Sequence, residues 1–132
     1  MYYEQSDYDV RCEWGLAGIT HLAPLCDVVV IVDVLSFTTC VDVAVSRGAI
    51  VYPFQWKDAS AEEFAQSVDA VVASSRRSAT GFSLSPTSLQ SIPEGTRLVL
   101  PSPNGSKAIL KLNTFGTRVC RAALIMSLPK NT

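Results

Sequence analysis

The chain has 132 residues, with 11 Lys and Arg against 12 Asp and Glu and a formal net charge of −1. That length supports one domain, which buries roughly two thirds of its unfolded surface without obligatory disulfides or metal. The near-neutral balance excludes a chain coated with basic residues for nucleic-acid binding. The longest strongly apolar run, Val28–Leu35, is broken by Asp33 and falls far short of the roughly 18 to 20 residues that cross a bilayer.

The balance hides a gradient. Residues 1–75 hold 11 acids and 3 bases, and residues 76–132 hold 8 bases and 1 acid, so the two parts carry −8 and +7. Either acidic and basic elements pack side by side in one fold, or a cation site in the first part faces an anion-binding surface in the second. Cys12, Cys26, Cys40 and Cys120 are spaced 14, 14 and 80 apart, with no C-x-x-C pair and a single histidine, His21. This is neither a zinc nor a haem pattern. The first residues carry acids where a secretory leader carries bases, so the expected location is cytoplasmic, with reduced thiols.

In chain order, Val10–Trp14 alternates apolar and polar residues and predicts a half-buried strand stopped by Gly15, followed by a short helix over Ala17–Leu22 ended by Pro24. Asp27–Asp33 sets five β-branched residues between two carboxylates and predicts a central strand covered on both faces. Phe37, Cys40, Val41, Ala44 and Val45 recur at helical spacing, closed by Arg47 and Gly48. A strand over Ile50–Phe54, a helix from Asp58 to Ser67 and a strand over Asp69–Ser74 follow. Residues 75–95 have no period and read as one long loop, of a kind more often functional than idle. Thr96–Leu100 predicts a strand, Pro101–Gly105 a sharp turn, Ser106–Leu112 a helix and Arg118–Ile125 a last strand. The alternation implies an α/β fold, a layered sheet with helices on its faces, formed by residues 1–132 as a single domain.

Two places share one construction, a strand running into a polar turn and then a helix N-terminus, which is the carboxyl edge where α/β sheets bind ligands. At the first, Ser36, Thr38 and Thr39 and the free backbone N–H groups are candidates for holding an anion, with Asp33 holding a hard cation beside it. The same residues also suit plain capping and turn roles. At the second, Asn104–Gly105 allows positive φ, Ser106 suits a cap and Lys107 stands in the first helical turn, where the helix dipole disfavours a cation. Arg76 and Arg77 are further candidate anion ligands, while Asp42 reads as a solvated helix residue.

Taken together, Val10–Gly15, Val30–Thr39, Ala44–Ala49, Gly81–Pro86 and Leu100–Ser106 resemble, colinearly, the N-terminal part of the 2-phosphosulfolactate phosphatase family. The Asp33-Val-Leu-x-x-Thr-Thr39 and Asn104-Gly-Ser106 motifs carry most of that likeness. The resemblance implies an α/β fold and Mg²⁺-dependent hydrolysis of a small phosphorylated acid. Carried over, it makes Asp33 the metal-binding carboxylate or the nucleophile, Ser36, Thr38 and Thr39 phosphate ligands, and Asn104, Gly105 and Ser106 a second oxyanion cradle. Many members carry Arg at the position of Ser36, so a cation is expected from Lys107 or Arg76 instead. Members are also longer, so this chain is expected to lack the family's C-terminal part and to pair its open sheet edge in a homo-oligomer. The alternative expectation is a catalytically silent domain that binds anions or self-associates.

Overall fold

A computed structural model describes residues 4–74 and 81–113. The N-terminal arm leads into α1 (Gly15–Leu22) and a 3-10 turn over Ala23–Leu25, and an extended stretch then leads to α2 (Phe37–Ser46). Next come β1 (Ile50–Phe54), α3 (Ala59–Ser67), β2 (Val71–Val72), a second 3-10 turn over Pro86–Leu89, β3 (Arg97–Pro101) and α4 (Gly105–Asn113). The three strands form one parallel sheet in the order β1-β3-β2, with Val51 opposite Leu98 and Val71 also opposite Leu98. The α/β expectation therefore holds.

Strand alternation sorts the helices onto the two faces. Val51, Leu98 and Leu100 join Phe37, Cys40 and Ala44 of α2 in the core, with Ile109 of α4 packed against the same cluster. The alternate residues Tyr52 and Phe54 meet Phe64 of α3 instead, Tyr52 edge-on at 6.0 Å and Phe54 stacked at 5.1 Å between ring centroids. A period of two along each strand thus separates an α2/α4 face from an α3 face.

The ends of two helices explain their lengths. Gly48 (φ 84°) donates to the Val45 carbonyl and Ala49 to the Ala44 carbonyl, a Schellman closure of α2 that needs a left-handed residue. α3 closes the same way, with Asp69 (φ 51°) in the left-handed position and the Ala70 N–H on the Ala65 carbonyl at 2.8 Å. Asp69 is therefore a helix-closing residue, and the strand expected from it shrinks to Val71–Val72, extended by an Ala73 N–H to Val99 carbonyl bond and a Ser74–Ser83 bridge.

Four further expectations need correction. Residues 10–14 form no strand: among the described residues none pairs with them in a sheet, and the Cys12 backbone is clasped by the Gln5 side chain, whose amide donates to the Cys12 carbonyl and accepts its N–H. Gly15 does not end an element but opens α1 with φ 63°. Among the described residues, 27–33 form no strand and lie outside the three-stranded sheet; Ile31 makes an isolated bridge, and Val28, Val30 and Val32 are exposed. β-branched residues favour extended backbone, but a strand also needs a partner edge. The stretch read as one loop contains two of the most deeply buried residues, Leu89 (0 % exposed) and Ile92 (1 % exposed). The Ser88 hydroxyl accepts the Ser83 N–H at 2.9 Å and helps to hold this segment in place. Arg76 and Arg77, the strand expected over 118–125 and Cys120 lie outside the described residues. Among the described residues no helix is long and apolar enough to cross a membrane.

Candidate anion site at the carboxyl edge

The two motifs come together. Pairing of β1 with β3 continues past the strands through a Ser102 N–H to Phe54 carbonyl bond of 2.9 Å, so the turn 102–104 departs from the carboxyl edge beside the end of β1. α4 begins immediately afterwards, and the Phe37 ring at the start of α2 packs directly on Gly105. Phe37 is the first residue of α2 and Gly105 the first of α4, so two helix N-termini converge there. Their partial positive charges reinforce each other.

Within this arrangement the hydroxyls are not equivalent. Ser36 donates to the Leu84 carbonyl at 2.7 Å and Thr39 to the Val34 carbonyl at 2.7 Å, so both protons are engaged by backbone. The Thr38 oxygen accepts the Asp33 N–H at 3.0 Å, and the Thr38 N–H in turn donates to the Asp33 carbonyl at 3.0 Å. This reciprocal pair ties Asp33 to the first turn of α2. Ser36 makes no side-chain cap for the helix, which leaves the first-turn N–H groups of α2 without a side-chain acceptor from that position.

At the second turn the capping role falls on Ser102 rather than Ser106. The Ser102 hydroxyl oxygen accepts the Gly105 N–H at 3.3 Å and its carbonyl accepts the Ser106 N–H at 3.2 Å. The Ser106 hydroxyl is fully buried (0 % exposed) with no hydrogen-bond partner among the described residues. A buried polar atom left unpaired costs roughly 1 to 3 kcal/mol, and this one follows directly on Gly105, where the Phe37 ring packs. Asn104 lends its carbonyl to the Ala108 N–H.

Positive charge at the edge comes from Lys107 and Lys57, and an aromatic face comes from Trp56; no local motif revealed either Lys57 or Trp56. The Lys107 ammonium lies 5.7 Å from the centroid of the Trp56 ring, just beyond the end of β1. A crevice of about 400 Å³ continues along the same edge between α3 and the ends of β2 and β3, with Lys57, Glu62, Leu84 and Pro101 among its walls. A larger cavity of about 580 Å³ sits at the opposite end of α2, around Arg47 and Glu94, away from both motifs. The smaller one lies where parallel sheets bind ligands, and position here outweighs volume.

Cys40 is the nearest thiol, and it is not a nucleophile. Burial pushes its pKa up to about 11, the neighbouring Ser36 hydroxyl lowers it in part, and the Asp33 charge raises it. Thiolate is the reactive form, and it is nearly absent at neutral pH in such a setting.

A Mg²⁺ ion usually keeps several waters and takes one or two carboxylates together with substrate phosphate. Asp33 fits that mode. Among the described residues no three His, Cys, Asp or Glu side chains gather into a metal-holding group, so a cage made from these residues alone does not fit. Comparison of the chain with protein-family models, with curated proteins and with solved structures returned no match.

Proposed function

We propose that this chain binds and hydrolyses a small acidic phosphomonoester, of the 2-phosphosulfolactate kind, with Mg²⁺ at Asp33 and the phosphate between the N-termini of α2 and α4. The observation that carries the reading is the buried, unpartnered Ser106 hydroxyl beside the Phe37–Gly105 contact. A phosphate dianion supplies the acceptor that this hydroxyl lacks, while the N–H groups of Thr38, Gly105 and Ser106 stay bonded to Asp33 and Ser102 and the positive helix ends act through their field. Lys107 neutralises charge from the α4 side, and Asp33 holds the ion or attacks phosphorus. Bound Mg²⁺ would supply charge neutralisation on the phosphoryl oxygens. The remaining requirement of phosphoryl transfer is positioning, which two fixed helix ends provide. The ester P–O bond breaks, water adds to phosphorus, and the alcohol leaves with a proton. Release of inorganic phosphate from p-nitrophenyl phosphate and from phosphosulfolactate, with and without Mg²⁺, tests this. No turnover, or turnover unchanged by Asp33→Ala, sinks the catalytic reading.

A second reading is a silent anion-binding domain that self-associates, favoured by the exposed side chains of Val28, Val30 and Val32 along one extended stretch. Sedimentation separates the two: a monodisperse monomer that turns over substrate rejects it, whereas a stable oligomer that binds phosphate without turnover supports it.

A further inference from the structure

Lys107 is placed against its local electrostatics. It is the third residue of α4, where the helix dipole repels a cation. Its ammonium lies 5.7 Å from the centroid of the Trp56 ring. Trp56 itself is 53 % exposed, so hydrophobic burial only partly accounts for its place at the carboxyl edge. An aromatic face attracts a cation through its quadrupole, and that attraction offsets the unfavourable dipole.

We propose that Trp56 is a positioning residue for the anion site: its indole face holds the Lys107 ammonium at the entrance to the α4 N-terminus, where one ammonium bridges the ring and a phosphate oxygen. The inference rests on the anion cradle proposed above and adds a residue that lies in neither motif. The cation comes from α4, and its direction is set by the end of β1.

The chain has two tryptophans, so a Trp14→Phe background leaves Trp56 as the sole indole. Inorganic phosphate is titrated into this protein, followed in parallel by calorimetry and by indole emission. The expected result is a saturable emission change with the calorimetric affinity, abolished by Lys107→Met. Trp56→Leu is expected to weaken phosphate binding by about three- to tenfold, and Trp56→Phe, which keeps an aromatic face, to stay within about twofold of the parent. Far-UV circular dichroism establishes that each variant is folded. Calorimetric binding with no emission change, or with equal affinity in Trp56→Leu, overturns the positioning role and leaves the cradle standing. An emission response that survives Lys107→Met does the same. Absence of any heat with phosphate overturns both.

Discussion

The ring of Phe37 lies so close to Gly105 that a Cβ built there would come within 2.2 Å of the ring's Cδ1 atom. One residue opens α2 and the other opens α4, so this contact sets how near the two helix ends approach. Gly105→Ala is expected to lower stability by about 1 to 3 kcal/mol, the usual cost of overpacking a filled site. A Phe37→Leu/Gly105→Ala double variant recovers part of that loss because the two positions share the strain. Urea unfolding of the four forms checks it; additive losses would disconnect the two residues.

Ser106→Ala separates a structural role from a ligand-binding one. The hydroxyl has no partner among the described residues, so its removal is expected to leave stability unchanged or to raise it by about 1 kcal/mol. Phosphate affinity falls at the same time, by roughly tenfold for one lost hydrogen bond to a charged group. Loss of stability without loss of affinity would assign the hydroxyl to the core.

Asp69 closes α3 with φ 51°, where glycine is the residue of lowest cost. Asp69→Gly is therefore expected to stabilise the fold by about 0.5 to 1 kcal/mol, read as a melting temperature higher by about 2 to 5 °C. A lower melting temperature would show that the Asp69 side chain contributes more than its backbone strain costs.

Cys40 gives a pH signature. Its folded-state value, pushed up to about 11 by burial, lies above the ordinary 9.0. The unfolded chain therefore loses this proton first, and stability falls as pH rises from about 9 to 11, by on the order of 2 kcal/mol. Below pH 9 both states keep the proton and the contribution is flat. Cys40→Ala should flatten the alkaline limb of a stability-against-pH curve, and a thiol reagent at pH 8 should modify exposed Cys12 well before Cys40.

Much of the helical and strand content was legible because its signals are local. Phe37, Cys40 and Ala44 recur on one helix face, Arg47 and Gly48 end that helix, and Asp58 caps the next through the Ser60 N–H. The candidate site was legible in part. Asp33 and Asn104–Gly105 stand at polar turns directly before apolar helix patterns, whereas the exchange of roles between Ser102 and Ser106 depends on how the turn folds against Phe54. Trp56 and Lys57 escaped because nothing in the order of residues near position 56 signals what β3 brings beside it.

The amino-acid order by itself determines where α2 and α3 close, which faces of the helices are apolar, and that two polar turns follow apolar runs, because these depend on contacts within a few residues. Only the tertiary structure decides that residues 27–33 lie outside the three-stranded sheet despite an uninterrupted β-branched run, and that Leu89 and Ile92 are core. It alone places the Phe37 ring on Gly105 and the Lys107 ammonium near the Trp56 ring. Sheet membership and burial require a partner surface from elsewhere in the chain, and no local preference supplies one. The charge gradient sits between the two: its size is written in the sequence, but the placing of Lys107 beside the Trp56 ring is set by packing.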